Sequence, residues 1–205
     1  PSPKPVEILE LDAVRTLLIR VRRLAARLSW PEWVIVLALV LLVVSSVGPA
    51  IWALRASGRL DMALNDVQAL QRAIIRYQRE YGAWPAVATI QGADVRYGAR
   101  RPNAPLMRLL RGEADLTVAD QPLNAQRMIF IEIEPYRRGW SGLSAEGEFL
   151  DPWGIPYQIV VDSNFDTIAK VENSIYGGSP GVGVLVWSCG PDRRSETKDD
   201  IRSWR

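Results

Sequence analysis

The chain has no histidine and a single cysteine, Cys189, in 205 residues. The first absence removes the commonest general base and the commonest metal ligand, so no histidine-based hydrolytic triad is available. The second excludes an intrachain disulfide and any cysteine-rich zinc site. Net charge is small: a formal +2 gives no whole-chain case for nucleic acid as a partner. One stretch lacks charge altogether. Over the 22 positions 33–54, WVIVLALVLLVVSSVGPAIWAL, there is no Asp, Glu, Lys or Arg, and Glu32 and Arg55 bound the run. A helix crosses the hydrocarbon core with about 20 apolar residues. A secretory signal has an apolar region of about 7–15, whereas this run is longer, lies deep in the chain and leads into a further helical pattern. A single membrane-spanning helix over 33–54 is therefore expected.

The flanks set its orientation and length. Residues 1–31 read as a cytoplasmic arm, polar and proline-rich at PSPKP. Beyond that Leu11, Val14, Leu18, Val21, Ala25 and Leu28 recur at steps of three and four, one face of an amphipathic helix. Arg15, Arg20, Arg22, Arg23 and Arg27 crowd before the run, against Arg55, Arg59 and Arg72 after it. The positive-inside rule places the N-terminal side in the cytoplasm. Such a basic helix serves to orient the chain, to lie on an anionic leaflet or to dock on a cytoplasmic partner. After Arg55 the helical period continues over 55–81 through Leu60, Ala63, Leu64, Val67, Leu70, Ile74 and Tyr77 or Gln78. Asp61, Asp66, Gln71, Arg72 and Arg79 fill the other face, and Gly82 and Pro85 end it. Pro49, after Gly48, lies inside the apolar half and should kink the helix or melt it locally.

Residues 86–205 are enough for one α+β domain with a modest core. The stretch 86–150 is rich in turn residues. Within it PLMRLLRG reads as a short helix with Leu106, Leu109 and Leu110 inward and Gly112 as its stop. MIFIEIE at 128–134 reads as a strand, with Phe130, Glu132 and Glu134 on one face and Ile131 and Ile133 on the other. Glu132 and Glu134 read as a solvated strand face rather than an acid–base pair. RRGWSGLSAEGEF reads as an exposed loop. In 151–205, DPWGIPYQIVVD is a turn leading into a strand and GVGVLVWSCG is a second strand. Asp162, Asn164 and Asp166 have D-x-N-x-D spacing, but an EF-hand would need glycine and glutamate where Thr167 and Asn173 stand; a hairpin loop is expected. In the tail, Asp192, Asp199 and Asp200 gather within nine residues. Three clustered aspartates repel one another without a cation, and calcium prefers six to eight hard oxygen donors.

The run bounded by Glu32, the proline at Pro49 seventeen positions on, and the amphipathic half ending in Tyr81, Gly82 and Pro85 resemble the N-terminal helix of type IV pilins and type II secretion pseudopilins. The DPWG-x-PY turn at 151–157 resembles a mark of the major (G-type) pseudopilins. So does the tail, where Ser188, Gly190, Asp192, Asp199, Asp200, Ile201 and Trp204 occupy the places of the family's calcium loop. The resemblance implies a pilin-like fold, in which a long N-terminal helix (32–85) packs on a small antiparallel sheet. It implies Ca2+ ligation by Asp192, Asp199 and Asp200 side chains, with backbone carbonyls of Cys189 and of a loop residue near Arg194 or Ser195. It also implies an assembly role for Glu32, paired with the N-terminal amine of a neighbouring subunit. Two departures are visible. Arg193 and Arg194 replace a glycine-rich segment, bringing positive charge toward the ion. Family leaders end in glycine, whereas the equivalent step here is Arg27–Leu28.

The expected function is that of a structural subunit and not an enzyme. It would sit in a bacterial inner membrane as a single-pass protein with its C-terminal domain in the periplasm. Its expected partners are membrane lipid, copies of itself or related pseudopilins, an inner-membrane secretion platform and, if the arm is trimmed, a prepilin peptidase. The alternative is an untrimmed single-pass protein that uses the same fold as a fixed binding or regulatory module.

Overall fold

The computed structural model describes residues 29–85, 94–99, 101–113, 117–118, 121–163, 169, 171 and 183–204. The amphipathic arm over 1–28 and the hairpin loop expected around Asn164 and Asp166 lie outside the described residues. The chain divides into two units, Pro1–Leu54 and Arg55–Arg205. One helix, α1 (Trp30–Tyr81, 52 residues), supplies the described part of the first unit and opens the second.

In the first unit every Trp, Val, Ile and Leu from 33 to 54 is exposed, Leu42 at 64%. Among the described residues there is thus one helix long and apolar enough to cross a membrane by length and composition. It begins two positions before Glu32. It also runs helically through Pro49, so the local melting expected there is absent. A proline inside a helix leaves the carbonyl four residues back without its N–H. The neighbouring serines are satisfied inside the helix, with Ser45 and Ser46 hydroxyls both donating to the Leu42 carbonyl at 2.9 and 2.8 Å.

In the second unit the helix buries one stripe: Ala63, Val67, Leu70, Ala73, Ile74 and Tyr77. Leu60 and Leu64, expected on that stripe, are exposed at 41% and 40%. Asp66 and Gln71, expected on the outer face, are half-buried on its flanks. Gln71 Nε2 donates to the Val184 carbonyl at 3.1 Å, and Asp66 Oδ2 accepts from the Tyr157 hydroxyl at 2.8 Å. The pattern is rotated because two polar residues have partners in the domain and two leucines have none. Gly82 closes the helix with its N–H on the Gln78 carbonyl.

The stripe packs on a four-stranded antiparallel sheet of β1 (Val95–Tyr97), β6 (Gln158–Val161), β7 (Val184–Ser188) and β8 (Ile201–Arg202), in that order. Its register pairs Val161 with Val95 and Val184, and Trp187 with Gln158 and Arg202. Both faces of the sheet are covered. Ile159, Val161, Val184 and Val186 join the helix cluster, while Val160, Leu185 and Trp187 form a second cluster with Ala169 and Trp204. This explains why the strand sequences QIVV and VLVWS show no polar alternation. The expected short helix is present as α2 (Ala104–Leu110), with Leu106, Met107, Leu109 and Leu110 buried. Two short hairpin pairs complete the unit, β2 (Thr117–Val118) with β3 (Gln121–Pro122) and β4 (Gly142–Leu143) with β5 (Phe149–Leu150).

Two expectations fail here. Residues 128–134 form no strand. They run extended beside α2, with Phe130 N–H on the Leu110 carbonyl at 2.8 Å, and Phe130 turns inward against Tyr77 at 5.4 Å between ring centroids. An aromatic pocket outweighed alternation. The stretch 137–149 is not simply an exposed loop either, since Leu143 pairs with Phe149, which is buried.

Asn103 ties the middle of this unit. Fully buried, it donates to the Phe149 and Tyr157 carbonyls, both at 3.1 Å, and accepts from Phe149 N–H at 2.9 Å. Asn103→Ala should lower the unfolding free energy by about 3 kcal/mol, roughly one per lost bond. Asn103→Asp should cost at least as much, because a carboxylate would face two carbonyl oxygens. Urea denaturation of the detergent-solubilised chain followed by circular dichroism measures both.

Candidate functional site: helix start and acidic tail

Ser29 precedes α1, and Glu32 is its third residue. Glu32 Oε2 accepts the Ser29 backbone N–H at 2.6 Å and the Ser29 hydroxyl at 2.7 Å. This is the returning half of a capping box, S-x-x-E, which satisfies a donor that the helix start would otherwise leave bare. The signal was present in the sequence as Ser29-Trp30-Pro31-Glu32. Both bonds use one oxygen, and among the described residues Oε1 accepts none.

The acidic tail is anchored by a buried aspartate, Asp151, which the sequence marks as the start of the DPWG turn but not as a partner of the tail. Asp151 has no exposed surface. Its Oδ1 accepts the N–H groups of Trp153 and Ile155 at 3.0 and 2.9 Å, which folds the DPWG turn. Its Oδ2 accepts the Ser188 hydroxyl at 2.6 Å, and Ser188 Oγ in turn accepts Gly190 N–H at 3.1 Å. One carboxylate therefore fixes both the turn before β6 and the exit from β7. Burial pushes the Asp151 carboxyl above its ordinary value, although Ser188 and three backbone N–H groups pull the other way.

From Ser188 the chain loops out and back. Gly190 has φ +66°, and a Cβ there would lie 2.4 Å from the Asp199 carbonyl oxygen, so the return strand closes directly on it. Asp192 N–H donates to Asp199 Oδ2 at 3.1 Å, and Asp192 Oδ1 accepts Arg194 N–H at 2.8 Å. Asp200 Oδ2 accepts Glu196 N–H at 2.7 Å and Thr197 N–H at 3.3 Å. The loop is seated on the second sheet face. Trp187 Nε1 donates to Ser195 Oγ at 2.9 Å, Arg96 pairs with Glu196 at 3.2 Å, and Trp204 meets Trp187 edge-on at 5.9 Å. Arg193 and Glu196 hold φ of 61° and 68°, a region uncommon for side chains with a Cβ. Arg193 thus holds a left-handed geometry that glycine adopts more readily.

The expected calcium donors fit in kind and partly in place. All are hard oxygens. The Thr197 hydroxyl oxygen lies 2.7 Å from Asp199 Oδ1, 3.2 Å from Asp200 Oδ1 and 3.2 Å from the Arg194 carbonyl. A hydroxyl has one proton to give. The one hydroxyl proton in this knot of oxygens can therefore serve only one of these three acceptors at a time. Asp192 reaches the knot through its N–H, and its carboxylate turns to Arg194. Among the described residues no three His, Cys, Asp or Glu side chains converge on one point as a ready-made metal group. Ser195, expected to offer a backbone carbonyl, uses its side chain to hold Trp187. Cys189 is buried, and burial with nearby Asp200 and Asp151 pushes its thiol up to about 12, so no thiolate forms near neutrality. Asp199 sits below its ordinary value: slight burial pushes it up, but the Thr197 hydroxyl and the Asp192 N–H outweigh that.

The other sequence candidates stay apart from this cluster. Glu132 and Glu134 are exposed on the extended segment. Asp162 is buried and its N–H bonds the Gly183 carbonyl at 2.9 Å. Set beside known protein families, characterised proteins and solved structures, the chain matches none.

Asp151 supplies the test of this architecture. Asp151→Ala should cost about 3 kcal/mol, roughly one per lost bond, and Asp151→Asn should cost less because it keeps an acceptor for the turn. The raised carboxyl also has a sign. Between its unfolded value near 3.8 and its higher folded value the native state binds more protons, so stability falls as pH rises through that window. Asp151→Asn should flatten that slope in urea titrations from about pH 4 to 7.

Proposed function

We propose that the chain is a pseudopilin-like subunit of a type II secretion or type IV pilus-like machine. The carrying observation is the single helix α1, bare and apolar all round in one half and striped against a sheet in the other. A helix apolar all round suits lipid or a bundle of like helices. Under this reading the 33–54 half lies in the inner membrane before assembly and packs against neighbouring copies afterwards. The domain faces the periplasm and the N-terminal side faces the cytoplasm. The partners are membrane lipid, copies of the chain or related pseudopilins, and an inner-membrane platform driven by an ATPase that this chain does not contain. The subunit itself makes and breaks no bond. Pro49 removes one backbone bond within the packed half, and Glu32 Oε1 is available for a neighbour's amine.

In the same reading Asp199 and Asp200, with Asp192 at the loop mouth, hold Ca2+. The ion supplies the positive charge that the oxygen knot lacks and closes the loop over Trp187. Calcium at about a hundredfold above its Kd should raise the thermal midpoint by roughly 5–10 °C. Magnesium should do so less, since it demands tighter octahedral geometry. An unchanged midpoint with calcium or chelator would refute the clamp.

The capping bond of Glu32 favours a second reading, the untrimmed single-pass module, because that carboxylate already serves its own helix. A Gln at 32 keeps the cap and removes the charge. For the filament reading, Glu32→Gln should abolish cross-linkable association between copies, and N-terminal sequencing should find a start near Leu28. Association intact in Glu32→Gln, together with a retained arm, supports the fixed module instead.

A further inference from the structure

A basic groove opens on α1 just past the uncharged run. Arg55, Gly58, Arg59 and Met62 form its helical wall, spaced three and four apart on one face. The opposite wall is a tight turn, closed by Trp140 N–H on the Arg137 carbonyl at 2.8 Å, that presents Arg138, Gly139 and Trp140. Ser141 N–H reaches Met62 Sδ at 3.2 Å and holds the turn to the helix. Gly139 has φ +85°, a backbone conformation that favours glycine, and a Cβ there would lie 3.2 Å from the Arg59 guanidinium, so the turn runs close against that cation. The groove measures about 570 Å³.

Its chemistry is one-sided. Three arginines, all exposed, line it, and among the described residues none of the three pairs with a carboxylate. Gathering like charges without a counter-ion costs energy that an anion would relieve. Guanidinium forks match phosphate oxygens in geometry as well as charge. Trp140 is 62% exposed at the rim. An exposed tryptophan beside arginines is the usual dress of a membrane–water boundary. Position agrees: Arg55 is the first charge after the run that ends at Leu54, and Arg59 lies about 6 Å further along the helix.

We propose that this groove binds the phosphate of an anionic phospholipid headgroup, with Arg55, Arg59 and Arg138 as ligands and Trp140 at the interface. The inference rests on the membrane-spanning reading of 33–54. A headgroup held here ties the turn 137–140 to the bilayer surface.

The test uses the full chain, delipidated in detergent, titrated with phosphatidylglycerol or phosphatidylcholine and read by native mass spectrometry. Phosphatidylglycerol should bind at roughly tenfold lower concentration than phosphatidylcholine. The double variant R59Q/R138Q should lose that preference at an unchanged thermal midpoint, and R138Q alone, on the exposed turn, should lose part of it. Equal binding of the two lipids by the unaltered chain, or an unaltered preference in the double variant, would overturn the proposal. Displacement of phosphatidylglycerol by millimolar inorganic phosphate would make the groove a free-anion site and overturn it too. So would variants that keep lipid preference but lose association between copies, which would assign the groove to a neighbour's carboxylates. A chain that stays monodisperse without detergent would sink the membrane reading itself, before any lipid is added.

Discussion

A helix can satisfy its own backbone but never its own apolar side chains. In α1 that constraint is met twice, by different means. Past Arg55 the apolar stripe from Ala63 to Tyr77 is narrow, and a sheet covers it. Before Arg55 there is no stripe, because large apolar side chains point in every direction and all are bare. Leaving each Leu, Val or Ile in water costs about 1.5–3 kcal/mol, far beyond what a domain with a net stability of about 5–15 kcal/mol tolerates along a whole helix. Among the described residues nothing covers this half of the helix. The return of the Ser45 and Ser46 hydroxyls to the Leu42 carbonyl fits hydrocarbon surroundings, where no water is present to satisfy them.

The sheet has the same problem on its far side. With α1 on one face, Val160, Leu185 and Trp187 on the other need a lid, and the described lid is the chain's own tail. Trp204 packs on Trp187, Arg96 lies 5.1 Å over the Trp187 ring, and Ser195 takes the indole N–H. The acidic loop is thus the path the chain takes to bring its end back over the tryptophan, with Ile201 and Arg202 added as the edge strand on the way. Asp151 explains why a turn 37 residues before Ser188 belongs to the same device: one buried carboxylate serves the turn and the loop exit together. A charge on the loop and a lid on the core are one structural requirement.

What the sequence disclosed follows from how local each signal is. The uncharged run, the helix stop at Gly82, the short helix at Leu106–Leu110 and the two central strands rest on neighbouring residues, and all appear. The rotation of the amphipathic stripe does not, because Asp66 and Gln71 turn inward for partners at Tyr157 and Val184, about a hundred positions away. Residues 128–134 alternate as a strand should, yet Phe130 packs against Tyr77 and Tyr81, and the segment meets β4 just at its end, where the Glu134 carbonyl accepts Leu143 N–H at 2.8 Å. The capping box at Ser29 and Glu32 was legible and was overshadowed by the reading of Glu32 as an assembly charge. Thr197, at the centre of the oxygen knot, carries no charge and drew no notice among three aspartates. The arginine groove was not legible, since Arg59 and Arg138 meet only through the fold.

The two charges that bound the apolar run are handled in opposite ways. Glu32 at its start is drawn into the helix's own first turn by Ser29, so that end is largely closed by local bonds. Arg55 at its finish has no such partner among the described residues and instead joins two further arginines brought by the helix and by a distant turn. Local closure at one end leaves little to be gained from an outside ligand except through the spare carboxylate oxygen. Accumulated, unpaired charge at the other end leaves a good deal to be gained. Under the proposed reading, recognition at the start of the run rests on one spare carboxylate oxygen, and at its finish on three arginines. The asymmetry follows from what each end finds within the chain: a local cap for Glu32, and only further arginines for Arg55.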